Sequence, residues 1–263
     1  MKKTELLEKL NLSCFIAFDF ETTGLDPFHD KIIEIAAVKF ENGEITDRFT
    51  TLVNPEIKIP NIITEITGIT NAMVSGKPVE EMIIDDLLSF LDNYPVVAHN
   101  IHFDMGFLSS LCDRLGRILN NNTQYDTLQL SRSLLFDQPV FNLGALSEYF
   151  NLSLDNAHRA ENDTINTGLI FLELIDELSK YPLEVISKIN SMIKKTGIPN
   201  QNIFVDLGNE LVKKGDMKEG LQCFDSKKIF YPNIFGCDGN NSISEISAKE
   251  VFGDKGLLSD IHP

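Results

Sequence analysis

The stretch Phe15-Ile16-Ala17-Phe18-Asp19-Phe20-Glu21-Thr22-Thr23-Gly24 constrains this chain more than any other. Its first residues are continuously apolar or aromatic, the composition of a strand buried on both faces. Side chains alternate along a strand, so Asp19 and Glu21 share one face while Phe20 takes the other. Thr22-Thr23-Gly24 then ends the strand in a turn, where backbone amides and hydroxyls can meet a ligand. Two carboxylates at the mouth of an apolar strand repel each other. A hard divalent cation relieves that repulsion, and Mg²⁺ favours carboxylate oxygens, water and phosphate. A lone D-x-E is more commonly a pair of exposed strand-end acids, so the argument depends on what the rest of the chain adds.

Residues 2–10 show a short helical pattern with Leu6, Leu7 and Leu10 on one side. Ile32 to Phe40 reads as a second strand and Ile45 to Val53 as a third, joined through Asn42-Gly43, a strong two-residue hairpin signal. These three strands are expected to form an antiparallel meander. A loop with short helical turns over 61–75 precedes an amphipathic helix from Val79 to Leu91. Pro95 to Ala98 is a short buried strand that delivers His99-Asn100 to its end, and Phe103 to Leu115 is the next helix, with Asp104 in its first turn and Gly116 as a stop. Asp126 is a natural N-cap for a helix through Leu135, and Asn142 for one running to Phe150. His158 to Leu178 is the longest helical pattern. Antiparallel strands followed by strand–helix alternation predict an α/β fold with helices on both faces of the sheet.

The formal net charge is −16. That balance excludes a protein that holds nucleic acid by its overall field, so contacts to phosphate would be local and metal-assisted. Cys14, Cys112, Cys223 and Cys237 are scattered without a C-x-x-C pair, which points to a reduced, cytoplasmic protein without a zinc site or disulfide framework. Glu5, Glu8 and Lys9 interrupt any apolar core near the start, so no signal peptide is expected there, and no segment approaches the length of a membrane span.

Three further features join Asp19 and Glu21. Asp104 follows a strand that ends at the same sheet edge; His158 and Asp163 are spaced to face one side at a helix start; and the Thr22-Thr23-Gly24 turn lies beside the first pair. Four carboxylates and one histidine, each at a strand end or helix start, are the parts for two-metal phosphoryl chemistry. In Asp-Phe-Glu-Thr-Thr-Gly at 19–24, His-Asn-x-x-Phe-Asp at 99–104 and His-x-x-x-x-Asp at 158–163, the chain resembles the DEDDh 3′–5′ exonucleases of the DnaQ-like group, related to the epsilon-type proofreading subunits of bacterial DNA polymerase III. The resemblance covers Cys14 to Leu178, and Ile66-Thr67-Gly68-Ile69-Thr70 is similar to the family's loop near the substrate 3′ end. It implies an RNase H-like mixed sheet flanked by helices, with Asp19, Glu21, Asp104 and Asp163 as ligands for two Mg²⁺ or Mn²⁺ ions and His158 as general base. It also implies contacts from Thr22, Thr23, Ile66, Thr67 and Phe103 to the terminal nucleotide. His99, His102, Asp26, His29, Asp30 and Asp126 read as structural or surface groups.

The expected division is a nuclease domain over 1–180, a small α-helical appendage over 181–232 and a linker-like tail over 233–263. Phe204, Leu207, Gly208, Leu211, Gly220, Phe224 and Pro232 fall at the spacings of one tetratricopeptide repeat. Such a helix pair must dock on 183–197, on the nuclease or on a protein partner, such as a polymerase or helicase. Residues 251–259 are similar to the segment opening the helicase part of DinG-type exonuclease–helicases, although no G-x-x-x-x-G-K-[ST] loop occurs. The expected activity is release of nucleoside 5′-monophosphates from single-stranded or frayed DNA, in replication proofreading or repair. An RNA 3′-end exoribonuclease is the alternative, since recognition of a 2′-hydroxyl is a property of the pocket; a non-catalytic scaffold is the third.

Overall fold

A computed structural model describes residues 3–135, 137–152, 159–182, 185–186, 188–189 and 199–213. After helix α1 (Lys3–Lys9), strands β1 (Cys14–Thr22), β2 (Ile32–Glu41) and β3 (Glu44–Leu52) form the expected meander. Asn42 and Gly43 both take positive φ (54° and 90°), as a tight hairpin with the native twist requires. Two short helices, α2 (Asn61–Thr67) and α3 (Asn71–Val74), precede α4 (Glu80–Leu91). Then follow β4 (Val96–Ala98), α5 (Ile101–Leu115), β5 (Gln124–Asp126), α6 (Thr127–Leu134), α7 (Leu143–Tyr149), α8 (Ala160–Ser179) and α9 (Gln201–Lys213).

The sheet runs β3-β2-β1-β4-β5, with β4 and β5 parallel to β1. Strand alternation divides the core. Phe15, Ala17, Val38, Phe40, Val97 and Tyr125 face a cluster built with α8, α1, α6 and α9. Ile16, Phe18, Phe20, Ile35, Ala37, Val96 and Ala98 face α4 and α5. β1 is therefore buried on both faces, and Asp19 and Glu21 continue the row of Phe15 and Ala17 toward α8. Helix α8 lies very close to the sheet: a Cβ at Gly168 would collide with the Phe40 ring.

The first of two compact units runs Met1–Lys218; the second, Glu219–Pro263, lies outside the described residues, as do Gly220, Phe224 and Pro232 of the repeat-like spacing and the segment 233–263. Helix α9 shares a core cluster with the nuclease and with Ile186 of the 183–197 segment. Ile203, Phe204 and Leu207 are buried in the same cluster as Leu6, Leu7 and Leu10 of α1, each burial worth about 1.5–3 kcal/mol. Just before α9, Asn200 treats the open edge of β5 as a strand would. Its Oδ1 accepts from the Asp126 N–H at 2.9 Å and its Nδ2 donates to the Asp126 carbonyl at 2.9 Å.

Candidate active site

The even-numbered N–H groups of β1 point toward β4, as the 2.9 Å bond from Ile16 N–H to the Pro95 carbonyl shows. β4 ends at Ala98 and on β1 pairs with Ile16 and Ala17, so β1 outruns it. Asp104, from the first turn of α5, fills the vacant position: its Oδ1 accepts the Phe20 N–H at 3.0 Å. The Asp104 side chain is 2% exposed. Burial, followed by the charges of Asp19 and Glu21, raises its pKa well above the carboxylate range, and the Phe20 N–H only partly offsets this. Asp19 is pushed up to about 7 by burial, then by Asp163 and Glu34. Glu21 is pushed up to about 9 by burial, then by Asp19, Asp163 and Glu34, with Arg159 acting in the opposite direction.

Asp19 and Glu21 thus feel Asp163, and Asp104 feels Asp19 and Glu21, so these acids are electrostatic neighbours near the end of β1. Asp163 comes from the first turn of α8, where its N–H bonds to the Arg159 carbonyl at 3.1 Å. Among the described residues no lysine or arginine pairs with Asp19, Glu21 or Asp104. Nor are three described His, Cys, Asp or Glu side chains gathered into a ready-made metal cluster. The donor chemistry nevertheless fits a hard dication: the donors are carboxyl oxygens with raised affinity for protons, which a bound cation would displace.

The turn after β1 is self-contained. Thr22 Oγ1 donates to the Gly24 carbonyl at 2.6 Å, and Thr23 Oγ1 donates to Asp30 Oδ1 at 3.1 Å and accepts from Lys31 N–H at 2.9 Å. The Asp30 carboxylate packs so closely on Gly24 that a Cβ there would overlap it. Both threonine hydroxyls are thus occupied within the loop. In α2, Thr67 is buried and its hydroxyl donates to the Ile63 carbonyl and accepts from Ile69 N–H, whereas the neighbouring Ile66 is 43% exposed. Phe103 is half-buried against Phe107, with ring centroids 5.0 Å apart. His158 lies outside the described residues.

The groups read as structural behave so. His99 Nδ1 lies 2.9 Å from Thr127 Oγ1, and burial lowers its pKa to about 4. His102 is exposed. Exposed His29 pairs with Asp26 at 2.7 Å. Asp126 caps α6 through the Leu128 and Gln129 N–H groups. Glu34 and Arg159 were not anticipated. Glu34 stands opposite Glu21 on β2 and bonds Arg159 at 2.9 Å; its signal is a charge inside the apolar run Ile32-Ile33-Glu34-Ile35.

Residues 16–171 match the exonuclease family model RNase_T. The chain belongs to this exonuclease family. Over 179 residues it is 41% identical to a DNA polymerase III PolC-type from Caldanaerobacter subterraneus subsp. tengcongensis, covering 68% of this chain and 13% of that protein. Over 184 residues it is 40% identical to the 3′-5′ exonuclease DinG of Bacillus subtilis, covering 70% and 20%. The chain thus spans a fifth or less of these relatives' lengths. Among solved structures, E. coli exonuclease I in complex with a dT13 oligonucleotide matches with a TM-score of 0.56 at 18% identity, over 69% of this chain and 44% of that one. The nuclease domain of 3′hExo, a DEDDh family member bound to rAMP, matches with a TM-score of 0.54 at 19% identity, over 63% and 92%. Both share the fold of a mixed sheet flanked by helices, and family membership carries a dependence on divalent metal.

Proposed function

We propose that this exonuclease removes nucleotides from the 3′ end of single-stranded DNA, releasing nucleoside 5′-monophosphates, with two Mg²⁺ or Mn²⁺ ions held by Asp19, Glu21, Asp104 and Asp163. The observation that supports this reading is the Asp104 carboxylate bonded to the Phe20 N–H, between Asp19 and Glu21 on β1, within the stretch that matches the exonuclease family. Bound ions would supply an acidified water and offset charge on the leaving oxygen. The chain's own work is to hold and orient. Asp104 is locked by the Phe20 N–H, so one donor is fixed before any ligand arrives. His158 takes the proton of the attacking water, a role worth about 10²–10⁴-fold in rate. Ile66 and Phe103 offer apolar surface to the terminal base. Thr22, Thr23 and Thr67, with hydroxyls occupied, contact the nucleotide through backbone groups and the shape of their turns.

The DNA preference draws support from the PolC-type and DinG relatives, and the rAMP-bound neighbour makes an RNA 3′ end the second reading. In the same proposal, 1–180 is the nuclease domain, 181–232 a docking segment for a partner such as a polymerase or helicase, and 233–263 a tail. No helix among the described residues is long and apolar enough to cross a membrane, and the enzyme would act in the cytoplasm in replication proofreading or repair. The test compares 3′-labelled and 5′-labelled single strands of DNA and RNA, with Mg²⁺, Mn²⁺ or EDTA. Metal-dependent loss of the 3′ label as mononucleotide, faster on DNA, is expected. Release of the 5′ label first, or activity in EDTA, would overturn the reading.

A further inference from the structure

Glu34 and Glu21 face each other in register across β1 and β2. Like charges directly opposite destabilise a strand pair, and Glu34 is only 2% exposed. A carboxylate so buried needs partners, and it has two. Glu34 Oε1 accepts from Arg159 Nη2 at 2.9 Å, and Oε2 accepts from the Ala160 N–H at 3.3 Å. Arg159 is the residue before α8, and its own side chain caps no N–H group of that helix. The cap comes from Glu34 instead, 126 positions away in sequence. One turn into α8 stands Asp163, whose N–H bonds to the Arg159 carbonyl. The same turn is held toward β3 by the 3.0 Å ion pair of Arg48 with Glu161.

We propose that Glu34 and Arg159 are a positioning pair for hydrolysis: they clamp the start of α8 to β2, so that Asp163 meets Asp19 and Glu21, and Arg159 keeps Glu34 out of the metal-binding set. This rests on the reading of Asp163 as a ligand. A carboxylate delivered by a helix terminus is placed only as well as that terminus is held, and a misplacement near 1 Å costs about 10²-fold in rate. Without Arg159, the buried Glu34 would be a fifth anionic donor beside the other four.

The test uses the full chain, with Glu34→Gln, Arg159→Met, Arg159→Lys and the Glu34→Gln/Arg159→Met double variant. Each is followed by kcat, KM for a single-stranded oligonucleotide, thermal melting, and calorimetric titration with Mn²⁺ alone. Glu34→Gln and Arg159→Met should each lower kcat about 10–100-fold at saturating Mn²⁺. KM should stay within about threefold, and the double variant should lose no more than the worse single one. Arg159→Lys keeps the charge but not the planar guanidinium and should fall between wild type and Arg159→Met. Mn²⁺ should bind Arg159→Met more tightly than wild type although turnover falls, while Glu34→Gln should not show that gain. Variants that melt earlier yet turn over at the wild-type rate while folded would reduce the pair to ordinary support and overturn the proposal. Additive losses would also overturn it. If Arg159→Met does not fold, Arg159→Lys decides: unchanged kcat overturns the pair. A wild-type chain without metal-dependent hydrolysis overturns the catalytic reading and the pair with it, whereas an active wild type beside a fully active Glu34→Gln overturns the pair alone.

Discussion

Two groups of acid in this molecule receive opposite treatment. At the start of α4, Glu80 is 8% exposed and fully served: Lys31 Nζ donates at 3.2 Å, Arg114 Nη2 at 2.8 Å and the Ile32 N–H at 3.2 Å. At the end of β1, Asp19 and Glu21 are half-buried and have other carboxylates for neighbours. The fold can neutralise a buried carboxylate and does so at Glu80, so the cluster at β1 is a choice rather than a shortage of cations. A neutralised acid holds structure, while an acid left among its own kind is suited to a cation.

The largest effect expected from this contrast is on activity. Asp19→Asn or Asp104→Asn should lower turnover by about 10³-fold or more. For Asp19→Asn the metal-free protein should melt higher, since a repelling charge is gone; each kcal/mol gained is about 2–4 °C for a domain of this size. A variant that keeps wild-type turnover would break the comparison. Next comes His158→Ala, expected to lose about 10²–10⁴-fold in kcat with Mn²⁺ affinity nearly unchanged. Its acid limb in the pH–rate profile should flatten, and a loss of Mn²⁺ binding would make His158 a ligand.

Glu80→Ala should do the reverse of Asp19→Asn. It takes one acceptor from Lys31, from Arg114 Nη2 and from the Ile32 N–H and should cost about 1–3 kcal/mol of stability, with turnover per folded molecule within about twofold. Both cations are partly hydrated, which keeps the cost at the low end. The smallest effect is a slope. Asp19 and Glu21 have folded pKa values above their unfolded ones, so the native state binds more protons between about pH 4 and pH 9. In EDTA, melting temperature should therefore fall as pH rises through that window, most steeply between about pH 5 and pH 7. Added Mn²⁺ should stabilise more at pH 8 than at pH 6, because it displaces fewer protons there. A metal-free melting temperature that rises with pH over this range would contradict the crowding of acids at β1.

The site was readable wherever local periodicity carried it. Asp19 and Glu21 follow from two-residue alternation in β1, and the Asp126 and Asn142 caps from residue type before a helical pattern. β5 was not anticipated as a strand, because three residues show no period and its pairing depends on β4. Glu34 lies within an apolar strand that read as core, and its role arises from Arg159, a residue at the far end of the domain. The occupied hydroxyls of Thr22 and Thr23 depend on how the loop closes on Asp30 and Lys31, which no spacing encodes. That α9 packs beside α1 is likewise a tertiary fact, invisible to either helix alone.

The amide of Asn200 on β5 has a consequence for how this enzyme can be divided. The family match ends at residue 171, yet the group that occupies the outer rim of the sheet arrives at residue 200. A piece trimmed to family length would keep every candidate catalytic acid while baring a backbone donor and acceptor on a terminal strand, the kind of surface that recruits a stranger's strand. Self-association of such a piece would then reflect a missing stopper rather than a native dimer. The portable unit is longer than the family match, and an excised 1–180 nuclease domain would need Asn200 and the buried Ile203, Phe204 and Leu207 kept beside it.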